Sequence, residues 1–227
     1  MQSDYNAPPI NPLPWVVWAL ALPTIAIEVV VQLHAIGFGG SGGQNWRFDA
    51  VQLFAFSPDW LRGWLATGRF PEEAYRTLSY MVVNPSFTSS LFAVVMILAL
   101  GKMVAEVFRW WAVAVVYLGA GVAGSVGYTL LLPGNDYALI GGFPGVYGLI
   151  GAYTFLIWVR QVATGGSQLR AFSLIGALLV IQLVFGLLFG DSYYWVAELS
   201  GFAAGFMLSF AVAPGGWRRV IARLRRR

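Results

Sequence analysis

Six mainly apolar stretches, each close to the roughly 20 residues needed to cross a lipid bilayer as a helix, dominate this chain. They run from about Pro14 to Phe38, Phe87 to Phe108, Trp111 to Leu132, Ile140 to Val159, Ala171 to Phe189 and Tyr194 to Val212. In hydrocarbon every backbone N–H and C=O must be paired within the protein, so runs of this length are expected to be transmembrane helices. The composition agrees, with 58% hydrophobic and 11% charged side chains over 227 residues. Disorder and a large soluble module are thereby excluded. The expected fold is an all-α, six-helix membrane domain over residues 14–212, between a polar, proline-rich segment 1–13 and a basic tail 213–227. The first run is too long for a cleaved signal peptide and lacks the basic residues that precede one.

Between the first two runs, residues 37–76 mix glycine, charge and aromatic side chains, Trp60 and Trp64 among them. That stretch is too polar to cross and suits a long loop at the membrane interface, partly as amphipathic helix. Six of the fourteen basic residues fall in the last ten positions: Arg218, Arg219, Arg223, Arg225, Arg226 and Arg227. Basic residues beside a span fix the cytoplasmic side and touch anionic lipid, which accounts for the tail without nucleic acid. With the tail inside and spans alternating, Lys102, Arg109, Arg160 and Arg170 join it, leaving Arg47, Arg62, Arg69 and Arg76 on the other side. The ten-to-four split places both termini in the cytoplasm, and a bacterial inner membrane is the expected location.

Glycines concentrate on three runs: Gly119, Gly121, Gly124 and Gly127 on the third, Gly141, Gly142, Gly145, Gly148 and Gly151 on the fourth, and Gly201 and Gly205 on the sixth. Small residues let helix backbones approach closely, so these three runs are expected to form an inner bundle. The first and fifth, bulkier throughout, are expected to face lipid.

The chemistry available is narrow. Without cysteine there are no disulfides, thiolate nucleophiles, iron–sulfur clusters or zinc–thiolate sites. The one histidine, His34, lies near the end of the first run, where a solvated or interfacial position is expected. Most metal sites and Ser/His/Asp arrangements therefore lack a necessary part. No metal or cofactor is expected.

The fourth run begins Gly141-Gly142-Phe143-Pro144-Gly145-Val146-Tyr147-Gly148-Leu149-Ile150-Gly151. This resembles the segment of the rhomboid intramembrane serine proteases of form GxSG followed by small-x-aromatic-G-x-x-G. In the sixth run Ala197-Glu198-Leu199-Ser200-Gly201-Phe202-Ala203-Ala204-Gly205 is similar to the rhomboid A-H-x-x-G-x-x-x-G helix. Tyr75-Arg76 ahead of Asn84-Pro85-Ser86 resembles the Trp-Arg pair and the H-x-S start of the second span. Gly101-Lys102 with Glu106 and the long first loop also agree, so the resemblance covers about residues 70–212 and implies the rhomboid six-helix fold.

The departures from that pattern fall where the family does its chemistry. The resemblance puts the nucleophilic serine on Phe143, the glycine after it on Pro144 and the general-base histidine on Glu198. It puts the oxyanion-side histidine and asparagine on Ser89 and Ala93, and the histidine that opens the second span's motif on Asn84. Serine proteolysis needs a hydroxyl within reach of a base, and donors aimed at the developing oxyanion. Phe143 has neither proton nor lone pair, Pro144 removes a backbone N–H and Ala93 offers no donor. A Ser–Lys dyad through Lys102 fails because Lys102 is expected at the opposite end of its helix. The resemblance thus implies an inactive rhomboid.

Two acids lie inside apolar runs, where an ionisable group counts as a functional hypothesis. Glu198 is expected to be a protonated carboxylic acid bonded to Tyr147 or a backbone carbonyl, in a structural role. Glu28, midway along a helix expected to face lipid, should be covered by a partner or a bundle neighbour. The expected function is binding without cutting: an adaptor that holds transmembrane helices of partner membrane proteins, docked at Glu28 and the aliphatic face of Leu174, Leu179 and Leu187. A fixed subunit of a larger membrane assembly is the alternative. A transporter is disfavoured because the chain has no inverted repeat and no polar ladder along a span.

Overall fold

The computed structural model describes residues 12–38, 45–68, 72–165, 168–173, 175–177 and 193–213. Five helices in it are long and apolar enough to cross a membrane: α1 (Trp15–Ala35), α5 (Phe87–Ala105), α6 (Trp110–Leu131), α7 (Phe143–Thr164) and α8 (Tyr194–Val212). Three short helices fill the first loop: α2 (Trp46–Phe54), α3 (Pro58–Thr67) and α4 (Arg76–Ser79), the last running into a 3₁₀ turn, Tyr80–Val82. The fifth apolar run lies mostly outside the described residues. Its first residues, Ala171 and Phe172, lie in a 3₁₀ turn, Gln168–Phe172, while Leu174, Leu179 and Leu187 fall outside.

Local sequence sets these boundaries. Asn45 caps α2 by accepting from the Phe48 N–H at 3.3 Å, and Ser86 caps α5 by accepting from the Ser89 N–H at 3.2 Å. Pro58 occupies the first turn of α3, and Pro144 that of α7, where a missing N–H costs no helical bond. Helix α7 begins later than its apolar run because Gly141 holds φ at +111°, a left-handed conformation that L side chains rarely adopt. It continues past Val159 to Thr164 and stops at Gly165, which caps it in the left-handed conformation at φ +70°.

The expected inner bundle forms. Helix α8 packs along both α6 and α7, and α6 packs on α7. Side chains have been removed where the backbones meet: a Cβ on Gly205 would strike the Gly148 carbonyl, one on Gly201 the Pro144 carbonyl, and one on Gly151 the Phe202 carbonyl. On the flank, α1 packs chiefly against α5, where Gly101 leaves room for Val17. Trp18, Leu22, Val29 and Leu33 stay exposed on the rest of α1, as suits a helix bordering lipid.

The first loop is tied down at several points. Arg62 of α3 spans to the α6–α7 connection, pairing with Asp136 at 2.9 Å and donating to the Leu132 and Asn135 carbonyls. Phe56 and Leu139 exchange backbone hydrogen bonds of 3.0 and 2.7 Å in an antiparallel bridge. Arg76 lies 4.4 Å from the centre of the Trp60 ring and donates to the Gln52 carbonyl at 2.6 Å. Tyr75 donates through its hydroxyl to the Leu53 carbonyl at 3.1 Å, whereas Trp64 remains partly exposed on α3.

Candidate functional site

Helices α5, α7 and α8 all begin at the end of the bundle that carries the long loop, so their first turns converge there. Two backbone hydrogen bonds position the start of α7. The Gly141 N–H donates to the Tyr80 carbonyl at 3.0 Å, and the Gly142 N–H donates to Asn84 Oδ1 at 3.2 Å. Asn84 is buried, and its own carbonyl accepts from Arg47 at 2.9 Å. Tyr80 donates through its hydroxyl to the Gly121 carbonyl at 2.8 Å. Burial, with the neighbouring Tyr117 adding to it, holds the Tyr80 phenol well above its ordinary range, so it acts as a neutral donor.

Around these first turns lies a cleft of about 640 Å³. Ser86, Thr88 and Ser89 line its loop end from α5 and Phe143 lines it from α7, with Glu198 contributed by α8. Deeper in, its walls are Phe92, Met96, Val146, Tyr147 and Ile150. Three of the six positions singled out in the sequence, Ser89, Phe143 and Glu198, therefore share one cavity. Asn84 stands behind it at the Gly142 N–H, and Ala93 is fully buried beneath. Lys102, in the last turn of α5, is 13 positions beyond Ser89 on the same helix, about 20 Å along its axis. Among the described lining residues none is basic, and none brings an imidazole. Glu198 is the one acid among the described lining residues, and it is itself buried, as are Val196 and Ala197 before it on α8.

Of the two covers expected for Glu28, a partner or a bundle neighbour, the structure shows the bundle neighbour, which corrects the expected docking of a partner at this residue. Glu28 is 8% exposed and turned into the bundle. Arg47 pairs with it at 2.7 Å, Gln32 donates to it at 2.7 Å, and Ser90 donates at 2.6 Å. The reason is geometric: the loop returns over the end of α1 and brings Arg47 of α2 onto the carboxyl, while α5 supplies Ser90. Because Arg47 also holds the Asn84 carbonyl, the cluster links α1 to the residue beneath the cleft. The sequence reading missed Arg47 and Ser90. The available signal was Gln32, one helical turn from Glu28 in an otherwise apolar helix. His34 stacks on Trp46 with ring centres 4.5 Å apart, at the edge of the same cluster.

An all-helical membrane bundle with glycine-seated α6, α7 and α8, a clamped first loop and a cleft at the start of α7 defines a class, that of the rhomboid-type membrane proteins. The rhomboid domain family matches residues 71–215, and the chain belongs to this family. It is 25% identical to "Putative rhomboid protease YdcA" of Bacillus subtilis (strain 168) over 150 residues, which span 65% of this chain and 71% of that protein. To "Rhomboid-related protein 2" of Mus musculus it is 29% identical over 113 residues, 50% of this chain and 35% of the relative. To "Inactive rhomboid protein 1" of Danio rerio it is 24% identical over 145 residues, 63% of this chain and 16% of the relative. The chain thus spans well under half the length of the last two. Both a protein named as a protease and one named as inactive stand among its relatives, so the family does not decide activity, and the residues in the cleft must.

Proposed function

We propose that this protein is a proteolytically inactive rhomboid that binds transmembrane segments of partner membrane proteins as an adaptor for their stability, assembly or trafficking. One observation carries the reading: the cleft at the start of α7 persists with room for side chains, while Phe143 and Glu198 sit where the family resemblance expects nucleophile and base. Phe143 cannot attack a carbonyl, and no described lining residue supplies an imidazole base. The seats for α6, α7 and α8 are kept, so a binding surface outlives the chemistry. The leucine-rich stretch with Leu174, Leu179 and Leu187 forms part of the expected interface. Glu28, satisfied within its own bundle, does not. The charge split along the chain supports cytoplasmic termini and an inner-membrane location.

The test uses the full chain in lipid with a fluorophosphonate probe, unstructured and transmembrane substrates, and crosslinking to co-purifying proteins through a photoreactive residue at Phe92. No cleavage, no serine labelling and a varied, sub-stoichiometric set of membrane partners are expected. Labelling of a single serine would overturn the inactive assignment, and one constant stoichiometric partner would make the protein a fixed subunit.

A further inference from the structure

We infer that the end of the bundle away from the long loop carries a binding site for an anionic phospholipid, at the seam where α1 and α6 begin. Arg109 and Lys102 hold its headgroup phosphate among the indoles of Trp15, Trp18, Trp110 and Trp111, and its acyl chains lie on the outer faces of α1 and α6. The site stands apart from the cleft and from whatever the cleft binds.

Helix α1 opens with Trp15 and α6 with Trp110, and the two rings lie 5.1 Å apart, which brings the starts of these helices together. At the same level Val17 of α1 faces Gly101, so the last turn of α5, with Lys102, runs alongside. Arg109, the residue before Trp110, is exposed and Lys102 is half-buried. Neither forms an ion pair with another described residue, although the exposed Glu106 lies between them in the sequence. Trp15 and Trp110 remain 61% and 55% exposed despite their contact, with Trp18 and Trp111 exposed beside them. Indoles gather at membrane interfaces in general, where the ring is apolar and the N–H meets a polar acceptor. A general belt would ring the bundle. Among the described residues, the exposed indoles at this end belong to α1 and α6 alone, while Trp158 of α7 packs among Phe155, Phe206 and Phe210.

Below the indoles, exposed side chains continue at helical spacing, Leu22 following Trp15 and Trp18 on α1, and Val115, Leu118 and Val122 following Trp111 on α6. From Trp111 to Val122 the chain advances about 16 Å along the helix, half of the ~30 Å hydrocarbon layer and so the depth of one leaflet's acyl chains. A guanidinium forks onto phosphate oxygens through two parallel N–H donors, and a neighbouring ammonium adds charge. Basic groups between transmembrane helices at the interface are suited to lipid headgroups for this reason. Charge complementarity selects the class of lipid. Two cations, Lys102 and Arg109, stand against one acid, Glu106, so the site keeps a positive excess. A zwitterionic headgroup brings its own cation against Arg109 and Lys102, whereas an anionic headgroup brings none.

The experiment reconstitutes the full chain in phosphatidylcholine vesicles containing a small fraction of either phosphatidylglycerol or phosphatidylcholine brominated on its acyl chains, which quenches the indoles it touches. The signal of the seam is the difference between the natural chain and one carrying Trp15→Phe and Trp110→Phe, so indoles elsewhere drop out. Phosphatidylglycerol should show at least about fivefold higher apparent affinity at the seam than phosphatidylcholine, the effect of about one net cation on an anionic headgroup. With the six tail arginines kept, Arg109→Gln with Lys102→Gln should bring that preference below about twofold. Glu106→Gln should raise it by about fivefold more, a gain that misfolding cannot produce. Equal affinity for the two lipids, a preference that survives loss of both cations, or one that fails to rise with Glu106→Gln would overturn the inference. Absence of any quenching of Trp15 and Trp110 would also overturn it, because the seam would then be covered by protein. Relief of the phosphatidylglycerol quenching by added inorganic phosphate would give the site to a free anion and refute the lipid assignment.

Discussion

Glu28 shows how one side chain can bind distant parts of the sequence. Its carboxyl receives Arg47 from α2, Ser90 from α5 and Gln32 from its own helix, and Arg47 goes on to the Asn84 carbonyl. A buried pair of this kind is worth little relative to well-packed apolar residues, yet removing one partner alone strands the other. Glu28→Leu should therefore cost on the order of 3 kcal/mol by leaving Arg47 partly buried opposite an alkyl group. Glu28→Leu with Arg47→Leu should cost less than the sum of the single changes, by about 1 kcal/mol or more. Thermal unfolding of the four proteins in one detergent measures the coupling. Additive losses would show that Arg47 and Glu28 act independently.

At the scale of helices, the glycines divide into those that seat a neighbour and those that do not. A Cβ on Gly205 would meet backbone of α7, which cannot move aside without shifting the whole helix, and one on Gly151 would meet backbone of α8. Gly205→Val or Gly151→Val should prevent close assembly of α7 with α8, seen as aggregation or protease sensitivity in detergent. Gly63, inside α3, has nothing within 4 Å of an added Cβ, so Gly63→Ala should be neutral or raise stability by about 0.5–1 kcal/mol. A large loss from Gly63→Ala, or none from Gly205→Val, would contradict this division. Five of the spans and their glycine seats were legible in the sequence because length, hydropathy and small residues are local properties. The direction of Glu28 was not. Helix α1 is apolar on every side, so its sequence selects no inward face, and the partner that does lies 19 residues away across the loop. Arg62 and Arg47 read as charges on the far side of the membrane, and only the folded loop shows that both are clamps.

At the scale of the whole molecule, the described helices and the first loop are tied together around one cleft. The loop clamps fix α1 and α5, the glycine seats fix α6, α7 and α8, and Asn84 fixes the start of α7, all around a cleft in which Phe143 stands where the family resemblance expects a serine. Restoring the two central groups should not restore proteolysis. Phe143→Ser with Glu198→His places a hydroxyl and an imidazole on helices that already share the cleft, so a base and a nucleophile could meet. The oxyanion would still find no backbone N–H at Pro144 and no side-chain donor at Ala93, which is buried and carries only a methyl group. Loss of one such donor costs on the order of 10²- to 10³-fold in rate, and two missing donors together leave too little stabilisation for cleavage above background. The double variant should therefore show weak or no labelling by a fluorophosphonate and no cleavage of a transmembrane substrate. Adding Pro144→Gly should return part of the deficit by giving back the missing N–H. Efficient cleavage by the double variant alone would mean that the oxyanion is held from elsewhere, and that Phe143 and Glu198 do not mark the degenerate centre.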